Sequence, residues 1–367
     1  MIAIHPLPSI AEVEALWRAM APAARHSFFV SWPWIHTWLT CLPAAIKPHL
    51  LTVTQGGLAI GVGLLVKRRL WRNGVINSRT WLLNATGDPE LDRIFIEDNG
   101  LVAREGYDEA AWKLWAQAFT EQCPDWDEVE LRGVRPGRLA AWEGYGMRLR
   151  EEMAMTSRYV ELDQVRDSRH PYLQLLGKKT RAHVRKTAQA FEKHGPIVVQ
   201  AAQSPAEALV FFGELKTLHQ QRWAARGMGG AFVHPFFELF HASLIQQHFS
   251  AGVIQLLRVK AGEQTIGVLY NFLHANDVLV YQTGFNYALV ESPNKESPGL
   301  LTHALAIDHN TQLGFRRYDF LAGDSQYKQA LATASEQLWW GAIQRDRAKF
   351  RFEDQLRTLW RQVTRRA

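Results

Sequence analysis

Val278-Leu279-Val280-Tyr281-Gln282-Thr283-Gly284 leads through a polar loop into Ser297-Pro298-Gly299-Leu300-Leu301. Beyond that helix start lies Tyr318-Asp319-Phe320-Leu321-Ala322-Gly323-Asp324-Ser325-Gln326-Tyr327-Lys328. The first stretch is β-branched and reads as a strand. In the second, Ser297 suits a helix cap and Pro298 the first helical position, where no backbone donor is lost. That helix is expected to run to about Leu313, with Gly314 closing it. The third stretch reads as a short strand, Tyr318 to Leu321, opening into a polar loop that presents Asp324, Tyr327 and Lys328. Strand, helix and strand in this order, with reactive residue types at the strand ends, place the second half in the mixed α/β class. Gly299 removes a side chain where free N–H groups would face a ligand, and the helix dipole favours an anion there. The same residues also make an ordinary capped helix.

Upstream of this core, Tyr172 to His194 has the spacing of one long helix, ended by Gly195-Pro196. Ile197 to Ala201 follows as a strand, Ser204 to Arg226 and Pro235 to Phe249 as helices, and Val253 to Val259 and Thr265 to Leu273 as strands. Downstream, Gln337 to Ile343 reads as a strand and Asp346 to Val363 as a helix. The first half has a similar grammar. Pro8 to Met20 and Ser31 to Leu42 read as helices. Leu50 to Thr54 and Leu58 to Lys67 form a hairpin around Gln55-Gly56-Gly57. Tyr107 to Glu121 reads as a helix, Glu128 to Arg132 as a strand and Pro136 to Tyr145 as a short helix. Two similar α/β halves from an old duplication are expected, residues 1–157 and 158–367, with 148–170 as the crossing segment.

Composition narrows the function. The chain has 367 residues, 47% of them apolar and 21% charged, and two cysteines. It can bury a large core without disulfides or structural metals, and Cys41 and Cys123 fit a reducing compartment. There is no basic leader followed by an apolar stretch. The longest apolar run, Leu58 to Val66, is far short of the ~20 residues that span a bilayer. A soluble cytoplasmic protein is the expectation. No metal-ligand spacing, nucleophile elbow or phosphate-binding loop occurs, so no metal is expected.

The net charge of +6 is unevenly placed. Residues 158–194 carry 9 basic and 4 acidic groups, and residues 345–367 carry 8 and 3. The remainder is slightly acidic. Lys178, Arg181 and Arg185 share a helix face, with Lys179, Lys186 and Lys193 in a line beside it. In the last helix Arg357 and Arg361 lie opposite Phe352, Leu356, Trp360 and Val363. These are either solvated faces or contacts for an anionic partner such as tRNA, a lipid diphosphate or a membrane surface. Ten of the fourteen tryptophans lie in the first half. Core packing explains pairs at helical spacing such as Trp34/Trp38, and stacking on sugar rings is the other reading.

The motifs Ser297-Pro298-Gly299-Leu300-Leu301, Gly314-Phe315 and Tyr318-Asp319-Phe320-Leu321-x-Gly323-Asp324-x-x-Tyr327-Lys328 together resemble the GNAT acyltransferase superfamily. The likeness is to the branch associated with cellulose and exopolysaccharide biosynthesis, related to the Fem-type aminoacyltransferases. Phe29-x-x-x-Pro33-Trp34-x-x-x-Trp38 and Leu218-His219-x-x-Arg222-Trp223 support it. The resemblance implies tandem GNAT-like domains, each a mixed, mostly antiparallel sheet flanked by helices, the first degenerate and the second carrying the donor site. It implies acyl transfer from acetyl-CoA or another acyl-CoA to an amine or hydroxyl of a small molecule, sugar or cell-envelope precursor. By the same resemblance Lys328 would neutralise anionic charge at the site. Asp319, Lys328 and Tyr281 are the catalytic candidates, and Asp319, Asp324, His219 and Tyr281 compete as general base. Gln282, Gly284, Ser297, Gly299 and Leu300 would hold the donor. Arg222, Trp223, Asp324 and Tyr327 would meet the acceptor. The sequence departs from the superfamily in lacking the Arg/Gln-x-x-Gly-x-Gly/Ala loop before the helix. Aminoacyl transfer from charged tRNA, as in the Fem-type enzymes, and a non-catalytic binding role on the same fold therefore stay open.

Overall fold

Two glycines with positive φ, Gly56 at +58° and Gly57 at +81°, turn the first hairpin as a two-residue loop, the geometry that matches the twist of paired strands. The computed structural model describes residues 1–20, 26–72, 76–292 and 296–355. It divides into unit 1, Met1–Ala154 with Leu338–Ala367, and unit 2, Met155–Gln337.

In chain order the elements are β1 (Ile2–Pro6), α1 (Ile10–Met20), α2 (Trp32–Cys41), β2 (Pro48–Gln55), β3 (Leu58–Arg72), β4 (Ile76–Leu83), β5 (Val102–Ala103), α3 (Asp108–Gln122) and β6 (Glu128–Val134). Next come β7 (Met147–Glu161), α4 (Leu162–Asp167), α5 (Tyr172–Leu175), α6 (Lys178–Glu192), β8 (Ile197–Ala201), α7 (Pro205–Ala224) and α8 (Pro235–His248). The last are β9 (Ile254–Ala261), β10 (Gln264–His274), β11 (Asp277–Phe285), α9 (Pro298–Gln312), β12 (Arg317–Ala322), α10 (Gln326–Leu331) and β13 (Ala334–Arg345).

Within unit 1 the strands lie in the order β1-β2-β3-β4-β6-β13, and within unit 2 in the order β8-β9-β10-β11-β12-β7. The two orders are the same, place for place. In each unit two helices separate the first two strands, α1 and α2 or α7 and α8. In each a helix, α3 or α9, precedes the strand that joins in parallel. The parallel pairs are β4 with β6 and β11 with β12, and the other ladders along these two paths are antiparallel. The tandem, mostly antiparallel α/β architecture expected from the sequence is the one observed.

Each unit has its own core. In unit 1, Trp112, Trp115, Phe119, Trp126 and Trp142 pack beneath the sheet. A fully buried tryptophan removes about 150–250 Å² from water, on the order of 4–6 kcal/mol at most. In unit 2, Val184, Phe191, Ile266, Leu300, Ile307, Tyr318 and Phe320 join α6 and α9 to one face of the sheet.

Several expectations need correction. The helix over 172–194 is broken: Leu176 is extended and buried, and Gly177 caps a new helix. The break lets Tyr172 donate its N–H to Asp308 Oδ1 at 3.0 Å and its hydroxyl to the Leu331 carbonyl. Strands β1 and β4 were not foreseen, and much of the expected crossing segment is instead the long strand β7. The unit boundary also differs. Residues from Leu338 onward go with unit 1, because Trp339–Gln344 pair with β6. Beyond them Lys349 donates to Asp127 Oδ2 at 2.7 Å and Arg72 pairs with Glu353 at 3.0 Å. Residues 348–355 are helical; Leu356, Arg357, Trp360, Arg361 and Val363 lie outside the described residues.

Candidate functional site

Strands β11 and β12 pair only at Asp277–Leu279 and Arg317–Asp319. β11 then continues six residues, Val280 to Phe285, with no ladder to β12. At the point of departure the β10–β11 register skips Tyr281: Tyr270 faces Gln282 and Asn271 faces Val280. Tyr281 is the extra residue of a β-bulge, which bends a strand and sharpens its twist. The bulge and the end of the parallel ladder together open a wedge in the sheet. On its β11 edge the Thr283 N–H donates to Gln282 Oε1 at 3.0 Å, a side-chain partner in place of a neighbouring strand.

The far side is set by Asp319. It is buried, and its Oδ1 accepts from Ser157 Oγ at 2.9 Å and from the Leu321 N–H at 2.8 Å. Its Oδ2 meets Arg317 Nη2 at 2.9 Å. Burial raises its pKa, against the lowering effect of the Arg317 charge. Leu321 sits at φ +59°, left-handed backbone that a branched side chain rarely adopts. The Asp319–Leu321 bond holds that turn. Lys328 Nζ then donates to the carbonyls of Leu321 at 3.0 Å and Ala322 at 2.8 Å. Both residues shape the end of β12.

Beneath this end His303, fully buried on α9, accepts or donates through Nδ1 with the Tyr318 hydroxyl at 3.0 Å, and its Nε2 has no partner. Its ring lies parallel to Tyr327 at 4.9 Å and edge-on to Phe285 and Phe320. Burial, with the nearby Lys328 charge, holds the imidazole down to about 3, so it is neutral at ordinary pH. Burial pushes the Tyr327 hydroxyl up to about 12. Tyr327 is thus a packing residue under the wedge.

Two glycines permit the close fit. A Cβ on Gly299 would stand 3.0–3.3 Å from the Phe285 ring, so its absence lets the start of α9 close on the end of β11. A Cβ on Gly284 would stand 2.6 Å from the Leu215 carbonyl oxygen, so α7 packs directly on β11 there. Ser297 caps α9, its Oγ accepting from the Leu300 N–H at 3.3 Å, and its own N–H donates to Thr187 Oγ1 of α6 at 3.1 Å. α6 therefore lies beside the α9 N-terminus. Its Lys178, Lys179, Arg185 and Lys186 are exposed, and among the described residues none has an ion-pair partner.

On the other face, Tyr281 packs against His241 and Phe272, with ring centroids at 4.8 and 4.9 Å. Arg222 stands over the Tyr287 ring at 3.9 Å, and Trp223 lies against Gly230 and His219. Burial lowers His219 to about 4. The structure thus gathers Tyr281, Gln282, Gly284, Ser297, Gly299 and Leu300 along one edge of the wedge, with Asp319, Tyr327 and Lys328 at the other. Arg222 and Trp223 are carried on α7, which packs on β11. Asp324 stands apart, exposed, accepting from Gln329 and Arg158. No group of three metal-ligating side chains occurs among the described residues. Phe285, Thr187 and His303 were not singled out from sequence. His303 follows Gly299 by four, the same helix face, and that spacing was the available signal.

An open strand edge, a helix start closed on its end and a basic helix alongside form one arrangement. Residues 178–329 match the family model of the acetyltransferase (GNAT) domain. The match runs from the start of α6 to α10, so it contains the wedge. Among solved structures the chain is similar to FemX, with 11% identity over 93% of this chain and 97% of that one, at a TM-score of 0.57. It is also similar to a conserved protein of unknown function from Bacteroides thetaiotaomicron VPI-5482, with 10% identity over 94% and 100% of the two chains and a TM-score of 0.54. A tandem GNAT protein from the clavulanic acid biosynthesis pathway matches at 14% identity over 94% and 98%, with a TM-score of 0.46. These likenesses are of fold. No curated protein sequence matches the chain. No described helix is long and apolar enough to cross a membrane.

Proposed function

We propose that unit 2 is an acyltransferase that takes an acyl group, acetyl first among candidates, from acyl-CoA to an amine or hydroxyl. The observation that carries this reading is the six-residue run of β11 left without a β12 ladder, ending where Gly299 brings the α9 N-terminus against Phe285. An extended donor arm bearing amides can add to such an edge as a strand would. Thr283 N–H, held by Gln282 Oε1, is the donor within it that a ligand can claim. The start of α9 at Ser297, Gly299 and Leu300 then lies where diphosphate charge is favoured by the helix dipole.

In the reaction the acceptor nitrogen or oxygen bonds to the thioester carbon and the C–S bond breaks. The acceptor's proton ends on the departing thiolate. In this reading Tyr281, on the bulge, hands over that proton. Asp319 and Lys328 hold the opposite wall, and Arg222 and Trp223 meet the acceptor. A sugar or envelope-precursor acceptor, a role in polysaccharide biosynthesis and a cytoplasmic site belong to this reading.

The exposed basic residues of α6 beside the α9 N-terminus, without an ion-pair partner among the described residues, favour a second reading, aminoacyl transfer from charged tRNA. Titration calorimetry separates the two. Micromolar binding of acetyl-CoA, weakened by Gln282→Ala, is expected. No acetyl-CoA binding, with tRNA binding that falls steeply as salt rises, overturns the first reading in favour of the second.

A further inference from the structure

Unit 1 contains a cavity of about 200 Å³ built wholly from its own residues. Its back wall is Trp34 and Trp38 of α2, both buried, and its side is Phe95 stacked on Trp340, with ring centroids 5.4 Å apart and planes at 24°. Its polar rim is Arg132 and Glu152. The volume is below the ~300–1,000 Å³ that hold a drug-sized ligand, so there is room for one ring.

The cavity is pre-formed. Phe95 is held at φ +35°, strained for an aromatic residue, and keeps 38% of its surface exposed. Gly133, at φ +66°, lets β6 approach: a Cβ there would stand 2.8 Å from the Ile96 carbonyl oxygen and 3.1 Å from the Trp340 ring. Asp92 anchors the loop by accepting from the Thr86 and Gly87 N–H groups and from Arg132 Nη1 at 2.7 Å.

The Arg132 and Arg150 guanidiniums are already paired with carboxylates. Arg132 spends Nη1 on Asp92 and Nε on Glu130, and Glu152 Oε1 accepts from Arg150. What remains is a guanidinium Nη2 to donate and a carboxylate Oε2 to accept beside a flat aromatic platform. A neutral polyol ring satisfies that set, whereas an anionic ligand would find no positive charge to spare. A pyranose with every hydroxyl equatorial offers C–H faces to the platform and directs its hydroxyls outward to the rim.

We propose that this cavity of unit 1 binds one gluco-configured pyranose ring of a glycan, its face on Phe95 and its hydroxyls on Arg132 and Glu152. The site is separate from the acyl-transfer reading of unit 2 and stands without it.

The test is calorimetry of the full chain with cellotetraose, chitotetraose and mannotetraose, alongside acetyl-CoA as an independent control on unit 2. Binding of a gluco-configured probe at or below about 1 mM is expected, with mannotetraose at least tenfold weaker. Phe95→Gly relieves the left-handed strain while deleting the platform, so affinity should fall at least tenfold with the melting temperature nearly unchanged. Glu152→Gln, at a half-exposed position, should weaken binding several-fold without unfolding. The proposal is overturned if no tetrasaccharide binds, if mannotetraose binds equally well, if Phe95→Gly binds like the parent, or if indole binds and the sugars do not.

Discussion

Units 1 and 2 share one strand order and one helix placement, yet they treat the place after the parallel ladder in opposite ways. In unit 2, β11 runs six residues beyond its last pair with β12 and carries the Tyr281 bulge. In unit 1, β4 ends one residue beyond its last pair with β6, and its register with β3 is unbroken from Leu65–Leu83 to Arg72–Ile76. Asn84 takes over there. At φ +50° it turns the chain, its Nδ2 donating to Asn99 Oδ1 and the Gly100 carbonyl, and its Oδ1 accepting from the Leu64 N–H. One copy of the fold keeps an open strand edge, and the other closes it with a hydrogen-bonded loop that lines an aromatic cavity. Local register, a matter of one residue, separates two uses of one topology.

The largest effect is expected from removing that residue. Deleting Tyr281 gives β11 the unbroken register of β4 while leaving Gln282, Thr283 and Gly284 opposite their present β10 partners. Acyl transfer should fall at least 100-fold with the circular dichroism spectrum retained. Transfer within tenfold of the parent would show that the bulge is not what opens the wedge.

Next is Asp319→Asn, which takes one of two carboxylates from Arg317 while Glu336 stays paired with it at 2.6 Å. Disturbing the buried acceptor that Ser157 and the Leu321 N–H share costs about 1–3 kcal/mol. Urea unfolding should report a loss of that order, and Asp324→Asn, at an exposed position, should change stability by less than about 0.5 kcal/mol. A fall in turnover for Asp319→Asn with stability intact would make Asp319 a base after all.

Acid separates the units in a third way. His219, His241 and His303 of unit 2 are all held below their ordinary values by burial. Below pH ~6.5 the unfolded chain binds protons that these folded imidazoles refuse, so stability falls with falling pH at about 1.4 kcal/mol per unit for each. In unit 1, Asp127 is depressed by hydrogen bonds from Arg79 and Lys349, which outweigh its burial. Its contribution persists until pH drops below the ordinary carboxylate range. Hydrogen exchange at pH 5 should therefore show unit 2 opening before unit 1. His303→Gln should recover about 2 kcal/mol of the loss between pH 7 and pH 5.

The smallest effect is expected at Gly299→Ala. The helix gains about 1 kcal/mol in propensity, and the Phe285 ring must give by a few tenths of an ångström. Net stability should stay within about 1 kcal/mol, while the KM for the acyl donor rises several-fold as the α9 start is pushed from β11.

Much of this was legible in the sequence, because the features involved are local. The Ser297-Pro298 cap, the Gly56-Gly57 turn and the helical spacing of Trp112 and Trp115 each follow from a few neighbouring residues. The Tyr281 bulge was not, since a bulge is a relation between two strands and β11 alone reads as an unbroken run. β7 was hidden by Arg148, Arg150, Glu151 and Glu152, which mask the alternation expected of a strand. Asp319 looked reactive because a carboxylate at a strand end often is. Its three partners, Ser157, Leu321 and Arg317, come from turn geometry and from a strand some 160 residues away in sequence. Core packing is what helical spacing implied for Trp34 and Trp38, and both are buried, yet they also form the cavity wall.

The sixth strand of each sheet has a consequence for how the protein is made. Unit 1 is completed by Trp339–Gln344, the far end of the chain, and unit 2 by Ser157–Glu161, which directly follows unit 1 in sequence. At a ribosome adding about 5–20 residues per second, β6 waits on the order of 10–40 s for the strand that covers its edge. During that interval the first unit carries an unpaired strand edge, the kind of surface that chaperones hold and that nascent chains aggregate through. Early termination would thus deprive the first unit of its last strand, and unit 1 cannot be cut out as one continuous piece with its sheet intact, whereas Met155–Gln337 is continuous.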